Sequence, residues 1–313
     1  MFEIKRYEPS HEQAWNDFVA RSKNGTFLFD RRFMDYHSDR FTDSSLMILR
    51  KGRIYALLPA NRVGDTLHSH QGLTYGGLLT DAKATAEGVM EAFGALNAWL
   101  RNEGVRRVTY KAMPWIYHRL PAEEDLYALT LVCHASLLTR EISSTILLQQ
   151  PLRFTESRKS GLRKALREGL YMEESGDLAA FWQMLDDNLA SRHHTHPVHS
   201  LDELRLLQGR FPQQIHLYLI YNKEKEPVGG TWVFDTGQVV HTQYIASTEE
   251  GKAHGALDLL FDELINRRYR EGIYLDFGKS TEEGGRVLNE HLIFQKEGFG
   301  GRGVCYDTYE WEP

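Results

Sequence analysis

One succession of elements is legible twice along this chain of 313 residues. Each half reads strand, two helices, three-strand meander, helix, strand, helix, strand. That alternation excludes a helical bundle and an all-β sandwich, and it requires mixed sheets covered by helices. In the first half, residues 2–7 read as a strand, and 11–21 and 31–40 as helices. Strands 45–50 and 53–60 flank Lys51-Gly52, a hairpin signal, and 66–70 supplies the third strand. The helix at 84–103 carries Val89, Phe93, Leu96 and Leu100 on one face. A strand at 107–112, a helix at 123–134 and strands at 135–140 and 143–148 follow. In the second half a strand at 170–174 precedes helices at 178–190 and 201–209, the latter capped by Ser200 or Asp202. Strands 215–222, 228–234 and 239–246 form the meander, and 254–270 is a helix. The expected class is α/β with mixed sheets and two tandem domains, residues 1–150 and 151–313, divided near Pro151. The helix at 155–168 belongs to neither copy.

The last part of the second copy concentrates polar residues. Strand 273–277 ends at Gly278, where a residue without a side chain permits a tight turn or a close ligand. A helix over 285–297 follows, stopped by Gly298-Phe299-Gly300-Gly301. Asp276 and Lys279 thus stand at the carboxyl end of a strand, where open α/β sheets place ligands.

Composition narrows the setting. The 42% of hydrophobic residues suffices for real cores, so disorder is not expected. The net charge of −6 argues against bulk nucleic-acid binding, though not against a local basic patch. Cys133 and Cys305 stand far apart and read as reduced thiols. MFEIKRYEPS lacks the apolar core of a signal peptide, and no apolar run reaches the ~18 residues of a membrane span, so the chain reads as cytoplasmic.

The order of elements resembles the GNAT acyltransferase fold, in which a helix start after the meander faces the ligand. Acetyl-coenzyme A users of that superfamily show Arg/Gln-x-x-Gly-x-Gly/Ala there; this chain has Lys252-Ala253-His254-Gly255-Ala256-Leu257. Gly278, Leu288 and Phe294-Gln295-Lys296-Glu297-Gly298-Phe299-Gly300 resemble the ending of the FemAB-like aminoacyltransferases. The turn Tyr75-Gly76-Gly77 and the run RKSGLRKALREG are also similar to that family. A long helical hairpin found in members using glycyl-transfer RNA has no room here, so a compact FemAB-like or BioF2-like acyltransferase is the better comparison. The resemblance implies two GNAT-like domains and direct transfer of an activated acyl or aminoacyl group to an amine, as in cell-wall precursor metabolism. It implies no tightly bound cofactor, an acyl-coenzyme A or aminoacyl-transfer RNA co-substrate, and a small or peptidyl amine acceptor. The oligomeric state is left open.

Acyl transfer to an amine needs a positioned carbonyl, an unprotonated amine and a stabilised oxyanion. Gly-x-Ser-x-Gly is absent, which favours transfer without an enzyme-bound intermediate. Lys296 is the first catalytic candidate, as a cation for the oxyanion or a phosphate; it also reads as a solvated helix-end lysine. Asp276 is the second, to orient or deprotonate the amine, or else an ordinary paired strand carboxylate. For substrate binding the candidates are Lys279, His241, Tyr244, Arg192 and His196, with Tyr75 and Gly76 in a possible acceptor groove. His241, Gln243 and Ile245 are expected on one strand face and Thr242 and Tyr244 on the other. For the donor they are Lys252, Gly255, and Lys159 and Arg163 on a basic helical stripe opposed by Leu162 and Leu166. The run SRHHTHPVHS lacks metal-ligand spacing and contains Pro197, so no metal is expected. The competing reading is a ligand-binding protein that keeps the fold without catalysis.

Overall fold

A computed structural model describes residues 1–193 and 196–313, and leaves the side chains of Arg192 and His193 outside the description. The chain divides into two compact units. The first comprises residues 1–142, 283–287 and 305–313, and the second 143–282 and 288–304. The division therefore falls at Ser143 instead of near Pro151, and the C-terminal strand returns to the first unit. The reason is that 135–140 and 143–148 are one uninterrupted strand, Ser136–Leu147, which the chain uses to pass from one unit to the next.

The first unit has two groups of strands. Phe2–Arg6, Leu46–Arg50, Arg53–Leu58 and Leu79–Thr80 form one sheet in that order. Asn61–Val63, Thr66–His68 and Arg107–Lys111 are joined by residues Thr308 to Trp311 of the final strand. The expected three-strand meander is thus broken after Leu58, where Pro59 provides no N–H for a ladder. Thr66–His68 consequently pairs parallel to Arg107–Lys111. Helix Ala86–Asn102 is capped by Thr85, which accepts from the Gly88 amide, and buries Val89, Phe93, Leu96 and Leu100 as its periodicity predicts. Both cysteines are free thiols.

In the second unit the strand order is Ser143–Leu147 of the long strand, Tyr274–Lys279, Val239–Ser247, Pro227–Asp235, Ile215–Tyr221 and Tyr171–Glu174. All neighbours are antiparallel except Val239–Ser247 and Tyr274–Lys279, which are parallel. Helix Leu201–Arg210 begins with a capping box between Ser200 and Glu203. The expected helix over 254–270 is three pieces: Glu249–His254, Ala256–Glu263 and a π-helical turn Leu264–Arg268. Gly255 separates the first two with φ 78. The expected helix from 285 starts later, as Glu290–Gly298, because Asn289 caps the Leu292 amide and Gly284 and Gly285 adopt positive φ. Among the described residues no helix is long and apolar enough to cross a membrane.

Candidate active site

The site begins where two parallel strands part. Val239–Ser247 and Tyr274–Lys279 stay in register at Val239–Tyr274, Val240–Leu275 and His241–Asp276, and pair no further. Two local irregularities release them. Gln243 is an extra residue between Thr242 and Tyr244 opposite Val233 and Trp232, a β-bulge that bends its strand. Gly278 has φ 74, and the register of its strand slips between Asp276 and Lys279. The strands then diverge and leave a wedge between them.

The bulge also changes which residues share a face. Val240 and Ile245 both pack on the core under the helices, although five positions separate them. His241 and Tyr244 are thereby placed on the opposite face together. The expectation that His241 and Ile245 share a face fails because an extra residue reverses strand phase.

The wedge opens into an apolar cleft of about 240 Å³. Ile245, Ala246 and Phe277 line it from the two strands, Leu189, Leu257 and Leu292 from three helices, and Phe299 from just after the last of them. Its floor is an aromatic cluster: Phe261 meets Phe277 edge-on at 4.8 Å and Phe299 at 4.9 Å. Lys296 is the cation set deepest in this lining, with 4% of its surface exposed. Its Nζ donates to the carbonyls of Gly278 at 2.8 Å and Lys279 at 2.9 Å. Burial lowers its pKa to about 8, and the negative charge of Asp276 opposes that shift. Two N–H groups are spent on carbonyls, so the protonated amine retains a third and the neutral amine retains its lone pair.

Asp276 is fully buried. Its Oδ1 accepts from Ser143 Oγ at 2.5 Å and Thr145 Oγ1 at 2.8 Å. Its Oδ2 lies 2.9 Å from His241 Nδ1. A carboxylate so enclosed is built to hold neighbours in place: with the Nδ1 proton directed at Asp276, the tautomer of His241 is set. His241 itself is 7% exposed and lies beside Gly278, whose added Cβ would stand 3.3 Å from its Cε1. On the same face the Tyr244 hydroxyl lies 2.6 Å from His199 Nδ1, within hydrogen-bond distance, and its ring stacks on Trp232. Burial raises the Tyr244 pKa to about 12. His199 was missed in the sequence, where it is one histidine among several without distinguishing spacing.

The other expected residues scatter. Lys252 lines the cleft and is paired with Glu249. Gly255 is explained by packing: an added Cβ would stand 2.4 Å from the Gly161 carbonyl oxygen. Lys159 pairs with Glu156 on the exposed side of helix Glu156–Arg167, and Arg163 is exposed. Ala165 provides the buried contact of that helix, while Leu166 is exposed, contrary to expectation. Lys279 is exposed at the strand end. His196 is exposed beside Asp186 at 2.7 Å, and the side chain of Arg192 lies outside the described residues. In the first unit Tyr75 is buried and bonds to Thr26, and a Cβ on Gly76 would meet the Ser69 carbonyl at 1.8 Å. Those two residues build a packed turn and do not line an open groove.

The first unit has no counterpart of the cleft among its described residues. Its strands Leu79–Thr80 and Arg107–Lys111 also fail to pair, but Tyr110 fills the space. The Tyr110 hydroxyl donates to buried Asp125 at 2.5 Å and accepts from the Leu78 amide at 2.6 Å. Burial raises Asp125 to about 6.

Residues 155–284 match the family of acetyltransferase (GNAT) domains. Over that segment the chain is similar to a GNAT acetyltransferase domain. The parted strands lie within the matched residues, whereas Lys296 and Phe299 of the cleft lining follow them. Solved structures show the same fold over the whole chain. FemX superposes with a TM-score of 0.68 at 11% identity, covering 99% of this chain and 97% of its own. L-PGS from Bacillus licheniformis gives 0.58 at 13%, covering 97% and 92%. A tandem GNAT protein from the clavulanic acid biosynthesis pathway gives 0.51 at 12%, covering 100% and 98%. No curated protein matches the chain in sequence. Over its whole length the chain therefore shares the fold of a tandem GNAT protein, as the order of elements predicts.

Proposed function

We propose that the GNAT domain transfers an acyl group from an activated donor directly to an amine, with Lys296 at the reacting carbonyl. The observation that carries this reading is the position of Lys296: buried, held by two strand carbonyls, and in the lining of the cleft where the strands part. The acyl part of the donor lies in the apolar cleft. The amine approaches from the His241 face. Its nitrogen lone pair attacks the acyl carbon, and the third N–H of the Lys296 ammonium steadies the resulting oxyanion. Collapse expels the donor's leaving group, which takes up the proton lost by the amine. Asp276 acts through His241, keeping the ring oriented toward the acceptor; it does not touch the amine, because its own oxygens are already engaged.

A thioester of coenzyme A is the donor this reading favours. Beyond Lys252, Leu257 and Gln295 the surface forms a second depression of about 330 Å³, reaching Arg158 and His291. A long, narrow donor with anionic groups distant from its acyl end suits two depressions in series. The acceptor class is a small or peptidyl primary amine, including the amine-bearing peptides of cell-wall precursors. The test is product formation by mass spectrometry, with acyl-coenzyme A and aminoacyl-transfer RNA offered separately to a panel of amines. Free thiol release matched by amide formation is the expected result. No product and no thermal stabilisation by either donor would sink the reading.

A further inference from the structure

The first unit carries a strongly basic concavity. A concavity of about 690 Å³ is rimmed by Arg21, Arg50, Lys51, Arg53 and Lys83, with Asp81 the one carboxylate among its lining residues. The volume falls in the range of roughly 300–1,000 Å³ usual for small-molecule sites. Five cations gathered around one acid in a chain of net charge −6 is a local reversal of sign. Asp81 Oδ1 accepts from the Lys83 backbone amide at 2.9 Å, and its single negative charge offsets one of the five cations. Arg50 has one long ion pair, 3.8 Å to Glu91, with both partners exposed. Arg21, Lys51, Arg53 and Lys83 make no ion pair with any described carboxylate.

The backbone strengthens the point. Arg50 and Arg53 face each other directly across the hairpin, and like charges in that relation repel. Lys51 occupies the turn at φ 53, where glycine, asparagine or aspartate is the usual choice. Two unfavourable local choices therefore converge to present three cations within four residues. Tyr55 and Ile54 supply an apolar wall beside them. Tyr55 is held in place by Phe2, edge-on at 4.8 Å.

We infer that this concavity binds a small ligand bearing a diphosphate or two phosphate groups, with Arg50, Lys51 and Arg53 on the phosphates and Tyr55 against the organic part. Its concave form and size favour such a ligand over a nucleic-acid backbone or a membrane surface. The inference is independent of the acyl-transfer reading.

The experiment is calorimetric titration of the full chain with inorganic pyrophosphate, beside the exposed-turn variant carrying Lys51→Glu and Arg53→Glu. Saturable binding of one pyrophosphate per chain is expected, weakened at least about tenfold in the variant. Circular dichroism verifies that the variant is folded, and Lys51→Gly, which relieves the turn and removes one charge, is a milder second variant expected to fall between. Equal affinity in wild type and both variants would overturn the site. So would competition by chloride as effective as that by sulfate, which marks general ionic attraction. Binding to single-stranded RNA or to phosphatidylglycerol vesicles, with none to pyrophosphate, would also overturn it, since the occupant would then be a macromolecule or a lipid surface.

Discussion

Lys296 Nζ rests 2.8 Å from the carbonyl oxygen of Gly278, at the residue whose positive φ turns the strand away from its parallel neighbour. The cation and the break in the sheet are therefore one device. The strand carbonyls at the turn hold the amine at the point where the parallel neighbour has parted.

The first prediction concerns pH. Lys296 is lowered to about 8 by burial, so it loses its charge as pH rises through that value. If the ammonium steadies the oxyanion, kcat/KM falls on the alkaline side of about pH 8. Lys296→Arg keeps its charge beyond pH ~12 and removes that alkaline limb, whatever it does to the absolute rate. A limb that persists in the arginine variant assigns it to another group. Lys296→Met is expected to lower kcat by about 100-fold or more, in keeping with loss of one oxyanion donor.

Asp276 is predicted to matter first for folding. Asp276→Ala leaves Ser143, Thr145 and His241 without their shared acceptor, at a stability loss on the order of 3 kcal/mol by chemical denaturation. A direct proton-accepting role predicts the reverse, lost turnover with unchanged stability. Asp276→Asn separates them further, since the amide retains an acceptor oxygen and most of the fold.

Gly255→Ala is expected to destabilise by about 2 kcal/mol or more. The substituted residue would sit at φ 78, and its Cβ would collide with the Gly161 carbonyl oxygen. Equilibrium unfolding of the variant measures this; a neutral result removes the packing explanation of this glycine.

Leu189→Trp tests the cleft. Leu189 is half-buried in the lining, so a larger ring fills the acyl space without displacing the core. The KM for the donor should rise at least about tenfold, with thermal stability nearly unchanged. Unaltered donor KM would place the acyl group elsewhere.

Much of the fold was legible because its signals are local. Ser200 caps its helix as its residue type predicts, and Lys51-Gly52 makes the hairpin it announces. Errors arose where one residue alters geometry for reasons outside its neighbourhood. Pro59 diverts the third strand of the first meander to another sheet. Gln243 inserts a bulge and exchanges the faces of the residues beyond it. Lys296 and Asp276 stood out by position near glycines, whereas His199 acquires its relation to Tyr244 only through contact across 45 residues.

By itself the sequence determined the succession of elements, their caps and the glycines that permit positive φ, since each depends on a few adjacent residues. Tertiary structure alone decided that Lys296 is buried and lowered in pKa, and that Asp276 is enclosed. It also decided that the wedge of the second unit stays open while Tyr110 closes that of the first. Those properties depend on dielectric surroundings and on partners such as Ser143, which lies 133 residues from Asp276. No local pattern encodes a distance of that kind; only the paired strands bring the groups together.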